Sequence, residues 1–470
     1  MGVGAGHGTT GTPGTTAAAA AAQPPLGHRQ IFAFYWPLVL TSQMMTVAHP
    51  IINAGLGRSD DAIVQLAAYG VGFGLAVFLN SPLFPFQQVV AAMGTGPRAR
   101  RDLITKGLSL GLVISGLDLL LALTPAGDLV FGRLIGSTPA VAELARGILL
   151  VQAPIPLLLP LRALAWGMVL RHRDTRIISQ ATGLRLILVG AIVFGLIGRS
   201  GWPPAIVGGA AMTAAVLLET VYSGWRAWRL ARRGAAGIDA GRDEPVSWRP
   251  FLAFIGPLMV STVTWSAMRP LLNAVMGRTA DPDLAQGGLG FVFPLLVLMA
   301  SPLWALQNTT LVLLRDRHDL RKLLRFATAV IALFVVLVGA WVWTPLRHVL
   351  LRDVFSLPAD KAAYVTTALL LIPYHPLTMG LRSISQGFLM NRRRTGVIAA
   401  ASLLKALVLV VPGFALVAWN PTLNGALLAT ALILAGDTVE TAVVGSRARR
   451  LHRELMAAAD GPVAPGTGGP

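Results

Sequence analysis

PLVLTSQMMTVAHPIINAGLGR at residues 37–58 returns as PLMVSTVTWSAMRPLLNAVMGR at residues 257–278, an offset of 220 residues. A shared apolar environment would explain repeated leucine or alanine. It does not explain a matched order of proline, asparagine, glycine and arginine. We therefore interpret the chain as a duplicated unit. The matched pairs in this stretch are Pro37 and Pro257, Pro50 and Pro270, Asn53 and Asn273, Gly57 and Gly277, and Arg58 and Arg278.

The duplication continues outward from this stretch to both ends of each unit. Each unit contains six apolar stretches, an even number, so both copies enter a membrane in the same orientation as a parallel repeat. At the end of the unit the offset becomes 221 residues. Further matched pairs are Ser81 and Ser301, Pro82 and Pro302, Gln87 and Gln307, Arg162 and Arg382, Arg185 and Lys405, and Glu219 and Glu440.

The composition is typical of a membrane protein. The 470 residues are 54% hydrophobic and 13% charged, whereas soluble domains carry about 25% charged residues. A spanning helix needs about 20 mainly apolar residues, and continuous apolar runs favour helices over a barrel. We predict an all-α polytopic membrane protein with twelve transmembrane helices, arranged as two parallel six-helix repeats that form two lobes around a central cavity. The predicted spans are residues 31–57, 62–94, 103–124, 139–170, 177–197, 203–226, 250–276, 284–314, 321–345, 360–390, 396–418 and 423–445.

The domain boundaries follow from these spans. The first segment is rich in glycine, threonine, alanine and proline, and its alanine run Ala17–Ala22 is too short for a signal peptide, so we predict a disordered tail. The predicted segments are a disordered tail (1–27), an N-lobe (28–228), a cytoplasmic linker (229–249), a C-lobe (250–450) and a cytoplasmic tail (451–470).

The net charge is +18, and the positions of the basic residues along the chain predict the topology. Basic residues cluster after every second span, as in Arg98–Lys106 and Arg392–Arg394, and such loops face the cytoplasm. Both termini are therefore predicted to be cytoplasmic, and lipid rather than nucleic acid is the expected partner. The alanine, glycine and arginine content suggests a high-GC bacterium and hence the inner (plasma) membrane.

Motifs for cofactors and catalysis are not found. The chain contains no cysteine, and no P-loop, dinucleotide fingerprint or zinc motif occurs in it. We predict no cofactor, no metal and no catalytic residue. Any transport would then run downhill or use a coupling proton or sodium ion.

Two arginines are the leading candidates for a substrate site. An ionisable group inside a span is costly, by about 2.5–3.5 kcal/mol for arginine, and Arg162 and Arg382 lie deepest in their spans. Paired guanidiniums beside a cavity would favour a small anionic substrate, because their planar forks match carboxylate and phosphate groups. The alternative is that each arginine pairs with an intramembrane carboxylate, such as Glu219 or Glu440, and holds helices together.

Further candidates follow from the repeat. Asn53 and Asn273 would bind substrate or hold a broken helix end, and His49 occupies the place of Arg269 in the other copy. Gln87 and Gln307 are also candidate substrate contacts. Asp118 has no equivalent, because position 338 is Val338, so it is a candidate proton site or a satisfied hydrogen-bonding group.

Two six-span copies with these motifs resemble the multidrug/oligosaccharidyl-lipid/polysaccharide exporter superfamily and, within it, the progressive ankylosis protein family. The resemblance covers residues 30–450 and implies two lobes in a V that work by alternating access. It further implies export of pyrophosphate, nucleoside triphosphates or citrate. The motifs that carry it are Trp36-Pro37-Leu38, Leu66-Ala67-Ala68-Tyr69-Gly70, Arg269-Pro270-Leu271-Leu272-Asn273 and Leu434-Ala435-Gly436 with Glu440.

Other functions stay open at this point. A flippase for a lipid-linked anionic precursor would also use a basic cavity. A cation-coupled multidrug exporter is less supported, because spans 1 and 7 hold no carboxylate. A membrane scaffold or receptor is disfavoured by the duplicated architecture, and an intramembrane enzyme by the lack of a convincing catalytic pair.

Overall fold

A computed structural model describes residues 26–59, 61–135, 137–234, 243–349, 351 and 359–460. The regular secondary structure of these residues is helical. Ten helices among them are long and apolar enough to cross a membrane, and a bent pair makes an eleventh if it counts as one span. The all-α polytopic class is confirmed. The predicted tails fall almost wholly outside the described residues at 1–25 and partly outside at 461–470.

The first half of the chain forms nine helices in its described part. Most of their bounds lie close to those of the predicted spans. Two predicted spans are each divided into two helices, α4 starts before its predicted span, α9 continues past its own, and the short α5 lies in none. The helices are α1 (His28–Leu56), α2 (Ala62–Asn80), α3 (Phe86–Met93), α4 (Pro97–Leu123), α5 (Ala126–Asp128), α6 (Pro139–Gln152), α7 (Ile155–Arg171), α8 (Arg176–Leu196) and α9 (Pro204–Gly234).

The second half repeats this order over the residues described. The predicted span at 360–390 is divided in two, as its counterpart in the first half is. The helices are α10 (Trp248–Met276), α11 (Pro282–Leu313), α12 (Arg317–Trp343), α13 (Leu346–Val349), α14 (Ala359–Leu369), α15 (His375–Asn391), α16 (Gly396–Trp419) and α17 (Gly425–Asp460).

Two helices extend past the predicted lobe ends. α9 continues to Gly234, into the segment predicted as linker, and α17 continues to Asp460, into the segment predicted as tail. The added residues are mostly arginine, alanine, leucine and glutamate, which are strong helix formers.

Proline accounts for the division of the spans. A proline in a helix lacks the N–H donor and clashes with the preceding turn. α6 and α7 meet at a 42° bend next to Pro154. α14 and α15 are joined by a tight turn that contains Pro373, and α2 and α3 by one that contains Pro82. Pro302, the counterpart of Pro82, lies inside the continuous helix α11.

Matched hydrogen bonds in the two halves are consistent with the duplication. The Thr175 hydroxyl, at the start of α8, donates to the carbonyl of Phe34 at 2.9 Å. The Thr395 hydroxyl, at the start of α16, donates to the carbonyl of Phe254 at 3.0 Å. Donor and acceptor are both displaced by 220 residues, so the same helix contact is built twice.

The two halves pack tightly together at one end of the bundle, the end that carries the basic loops. A single apolar core there contains side chains from both halves. The Tyr35 hydroxyl donates to the carbonyl of Pro302 at 3.0 Å, and its ring packs edge-on against Phe326. Phe86 and Phe251 make a second aromatic contact between the halves. We call this the closed end.

At the opposite end each half has a core of its own. One core contains only residues between Met268 and Ile433, and two others contain only residues between Ile52 and Ala215. The described residues of the two halves therefore share one core at the closed end and have separate cores at the other; we refer to the halves as the N-lobe and the C-lobe.

The end of the interlobe linker is attached to the start of α4. Gly96 precedes that helix and has no side chain to cap it. The Asp243 carboxylate takes this role and accepts from the amide of Arg98 at 2.8 Å. In return, the Asp102 carboxylate accepts from the amide of Val246 at 2.9 Å. Capping satisfies amides that a helix start leaves without partners.

Candidate functional site

The C-lobe holds a buried cluster of ion pairs between α15, α16 and α17. Asp437 and Glu440 are three residues apart on α17, so their side chains share one face. Arg382 donates to Glu440 and lies 3.1 Å from an oxygen of Asp437. Lys405 contacts the same two carboxylates. His375 Nδ1 lies 3.0 Å from the other oxygen of Asp437.

Hydrogen bonds fix the position of Glu440 in this cluster. Its second oxygen accepts from Gln386 at 3.2 Å and from the Ser402 hydroxyl at 3.1 Å. Ser402 also lies 2.7 Å from the hydroxyl of Ser261 on α10. A buried carboxylate with all its partners in place is rigid, because an unpaired charge is costly away from water.

The N-lobe holds a smaller cluster between α7, α8 and α9. Arg162 donates to Glu219 at 2.8 Å, and Arg185 lies 3.4 Å from the same oxygen. The Thr182 hydroxyl donates to the other oxygen at 3.0 Å. The Arg162 guanidinium also stacks over the Trp166 ring at 4.9 Å. Two guanidiniums thus share one fully buried carboxylate.

The two clusters differ in formal charge. With His375 neutral, the C-lobe cluster has two cations and two carboxylates, and the N-lobe cluster has two cations and one carboxylate. The difference arises from Asp437, because the equivalent position in the N-lobe is Val216. Sequence comparison of the halves could not point to this residue. The signal for it in the sequence is that it is an ionisable residue inside an apolar span.

Both predicted arginines are therefore paired with the carboxylates named as the alternative. Arg382 pairs with Glu440, and Arg162 pairs with Glu219. Their surroundings differ, however, since Arg382 also lines a cavity whose described lining does not include Arg162.

A cavity of about 320 Å³ lies against this C-lobe cluster. Its charged lining residues are Arg382, Lys405 and Glu440. Asp437 lies behind this wall in contact with both cations, so the whole cluster has two positive and two negative charges. Gln87 and Gln307, predicted as a matched pair, both line it. From the N-lobe, only a short segment around α3 contributes, and from the C-lobe the wall comes from α10, α11, α15, α16 and α17.

Four further predicted substrate contacts are not among the described residues that line this cavity. The ring of His49 packs against Phe73 at 4.7 Å, and the guanidinium of Arg269 lies 5.9 Å from the ring of Phe293. The main-chain carbonyls of Asn53 and Asn273 accept bonds from the glycines that end α1 and α10.

Asp118 is fully buried on α4, and neither of its carboxylate oxygens has a hydrogen-bond partner among the described residues. Gln152, at the end of α6, is equally buried and also has no partner for its amide. Nearby, Ser115 on α4 donates to the carbonyl of Ala153 at 2.6 Å, which places this part of α4 beside the end of α6. No described protein group satisfies Asp118, and both of its predicted roles stay predictions.

Solved structures of transporters share this fold over almost its whole length. A MATE protein in complex with MaL6 has a TM-score of 0.71 at 17% identity and covers 91% of this chain and 97% of its own. The eukaryotic MATE transporter AtDTX14 has a TM-score of 0.67 at 16% identity and covers 91% and 98%. These similarities define the chain as a polytopic membrane protein with the fold of a transporter.

A match to a sequence family assigns the chain more specifically than the fold does. Residues 27–280, more than half of the chain, match the family described as Progressive ankylosis protein (ANKH). The chain belongs to this family, and the resemblance seen in its motifs is confirmed. A transporter of the MOP superfamily from Pyrococcus furiosus, described by a reverse polarity of its binding pocket that suggests a different function, has a TM-score of 0.69 at 16% identity and covers 92% of this chain and 97% of its own.

Proposed function

We propose that this membrane transporter exports small organic or phosphate anions across the inner membrane by alternating access, with citrate, pyrophosphate or nucleotides as candidate substrates. One observation carries the proposal. Arg382 and Lys405 open onto the cavity, and Glu440 is the only carboxylate among its described lining residues. Cationic side chains that reach a cavity attract anions, which would compete there with the carboxylate partners Glu440 and Asp437.

The chemistry of the wall suits a small polar anion. A guanidinium binds carboxylate or phosphate through two parallel hydrogen bonds, and an anion that enters the cavity would compete with Glu440 for Arg382. The amides of Gln87 and Gln307 would complete the contacts. The volume lies at the small end of the range for ligand pockets, which is about 300–1,000 Å³.

The orientation of the lobes bears on the direction of transport. If the basic loops and both termini are cytoplasmic, as the positive-inside rule predicts, then the closed end faces the cytoplasm. The arrangement described is then outward-facing. To admit substrate from inside, the bond between Tyr35 and Pro302 and the contact between Phe86 and Phe251 would have to break.

Energy for export would come from a gradient of the anion itself or from a coupling proton or sodium ion. Neither α1 nor α10 carries a carboxylate, which supports anion export over cation-coupled drug export. No catalytic role is proposed for any residue.

Proteoliposomes test this proposal directly. Vesicles with the purified protein are loaded with labelled citrate, pyrophosphate or ATP, and parallel vesicles are loaded with the drug-like cation ethidium. We expect efflux of at least one anion above protein-free vesicles and none of the cation. Efflux of ethidium without any of the anions would refute an anion exporter.

Matched variants then test the cavity. Gln307→Leu removes an amide from the wall, and Gln286→Leu makes the same change on the same helix away from the cavity. A hydrogen bond to a charged group is worth about 1.5–3 kcal/mol, so we expect about a tenfold or larger loss of anion uptake rate only for Gln307→Leu. Arg382→Lys and Arg162→Lys keep the charge but remove the fork. Equal losses in both pairs would exclude this cavity as the site.

A further inference from the structure

The last turns of α9 carry three aromatic residues, each followed four residues later by an arginine that stacks on its ring. Residues four apart lie on one face of a helix, so the pairs form a continuous stripe, which we call the aromatic–arginine ladder. The distances from guanidinium carbon to ring centre are 5.8 Å for Arg226 over Tyr222, 4.1 Å for Arg229 over Trp225 and 3.7 Å for Arg232 over Trp228.

The ladder lies on the surface at the basic end of a membrane-spanning helix. Trp225 and Trp228 are 44% and 50% exposed, although tryptophan buries a large apolar area when it can. Residues Pro204–Arg232 are among the segments that are apolar enough to cross a membrane. Tryptophan and tyrosine at such an end typically lie at the level of the lipid headgroups.

The arginines of the ladder are free of carboxylate partners in the described part of the chain. Arg226 donates to the side-chain oxygens of Gln180 and Tyr222, and the described contacts of Arg229 and Arg232 are their stacked rings. Stacking occupies the face of a guanidinium and leaves the N–H groups in its plane available. Two such groups, one helical turn apart, thus present donors outward.

A comparison with α17, the second copy of this helix, distinguishes the ladder from the basic residues that the positive-inside rule alone would produce. At an offset of 221, α17 keeps all three arginines, as Arg447, Arg450 and Arg453, but the three aromatic positions are Val443, Ser446 and Arg449. One of these arginines is neutralised, since Arg450 bonds to Glu454 at 3.1 Å. The positive-inside rule accounts for the arginines in both copies and the interfacial aromatic belt for rings at this depth, but neither requires an arginine stacked on each of three successive rings.

We propose that the aromatic–arginine ladder is a binding site for the headgroup of an anionic phospholipid such as phosphatidylglycerol. The phosphate diester would bind the in-plane donors of Arg229 and Arg232, and the rings of Trp225 and Trp228 would contact the glycerol and upper acyl chain. The stacked rings hold the guanidiniums in place before the lipid binds, so less side-chain entropy is lost on binding. The site would anchor the N-lobe and the start of the interlobe linker to the bilayer surface.

Lipid titration of the full-length protein in a neutral detergent tests this proposal. Native mass spectrometry counts bound phosphatidylglycerol and phosphatidylcholine for the wild type and for two double variants that make the same change in the two copies. Arg229→Gln with Arg232→Gln should weaken phosphatidylglycerol binding about tenfold. Arg450→Gln with Arg453→Gln should weaken it less than about twofold, because those arginines lack rings and one is already paired.

A third double variant tests the rings at unchanged charge. Trp225→Leu with Trp228→Leu should weaken phosphatidylglycerol binding about fivefold through the loss of stacking, and a monodisperse size-exclusion profile shows that each variant is folded. Equal losses in the two arginine pairs, no loss in the tryptophan pair, or equal affinity for phosphatidylcholine would each overturn the proposal. Displacement of the lipid by millimolar inorganic phosphate would assign the site to a free phosphate instead.

Discussion

The replacement Glu219→Gln probes how the N-lobe cluster is held together. Glutamine keeps the shape of glutamate but carries no charge, so Arg162 and Arg185 would both lose their counterion. Within the described residues no other carboxylate pairs with either guanidinium. The variant would leave two positive groups near each other in a buried site, while Thr182 would keep a possible hydrogen bond to the side-chain oxygen.

The size of the effect follows from the distances. At 2.8 Å and 3.4 Å, the two pairs attract by about 6 and about 5 kcal/mol at an effective dielectric constant of about 20. Desolvation offsets much of this attraction, and the loss of one member of a buried pair costs about 3–5 kcal/mol. We expect a cost in that range for Glu219→Gln.

The matched variant in the C-lobe should cost less. Glu440→Gln leaves Asp437 in contact with both Arg382 and Lys405, so neither cation is left without a carboxylate. We expect a cost of about 2 kcal/mol, the loss of charged hydrogen bonds alone.

Thermal unfolding in one detergent, followed by loss of the monodisperse size-exclusion peak, measures both variants. The unfolding midpoint should fall further for Glu219→Gln than for Glu440→Gln. Adding Arg185→Met to Glu219→Gln should raise the midpoint again, because it removes one of the two unpaired charges. If Glu440→Gln is the more damaging variant, or if the double variant is less stable than Glu219→Gln, the charge difference between the clusters is not what governs their stability.

Three further variants test the packing by the same measurement. Asp118→Leu should leave the midpoint unchanged or raise it, because it removes buried oxygens without partners; a clear fall would show that they are bonded. Gly111→Ala should cost about 2 kcal/mol, because its Cβ would lie 2.3 Å from a backbone carbonyl oxygen. The control Gly116→Ala, on the same helix, places a Cβ in open space. Equal effects of the two variants would contradict the contact at Gly111. Asp243→Ala should cost about 1 kcal/mol and speed tryptic cleavage of the linker, and exposed Glu244→Ala should do neither; unchanged cleavage would show that the linker is held elsewhere.

Hydropathy and the internal repeat were enough to predict the membrane class and the position of nearly every spanning helix. Helix ends were less predictable, because hydropathy marks the part of a helix that lies in lipid. α9 and α17 continue into water on arginine, alanine and glutamate, residues that hydropathy counts as loop but that favour helix.

The candidate site was only partly predictable. The repeat identified Arg162 and Arg382, but their partners depend on which helix faces meet across more than 50 residues of chain. Asp437 and His375 were more difficult to place, since the N-lobe has Val216 and Ile155 at these positions. A comparison of the two halves identifies residues that both halves have kept. It does not identify a residue that is present in only one half.

The join between the lobes could not be predicted at all. Tyr35 and Pro302 are 267 residues apart, and apolar residues occur at both ends of every span. If the protein alternates between two arrangements, as proposed, its sequence contains the contacts for closing each end. The pattern of apolar residues then does not tell which end is closed.

The two lobes contribute unequally to the cavity wall, and this affects any molecule that binds there. Nearly all polar groups of the described wall belong to the C-lobe, and the N-lobe supplies only a segment around α3. If the lobes move relative to each other, as alternating access requires, a bound molecule would therefore move with the C-lobe. The N-lobe would then cover or expose the bound molecule without moving with it. Substitutions at Phe84 or Gln88 would then alter the rate of exchange between the two sides, while substitutions on α11, α15 or α16 would alter which molecules are carried.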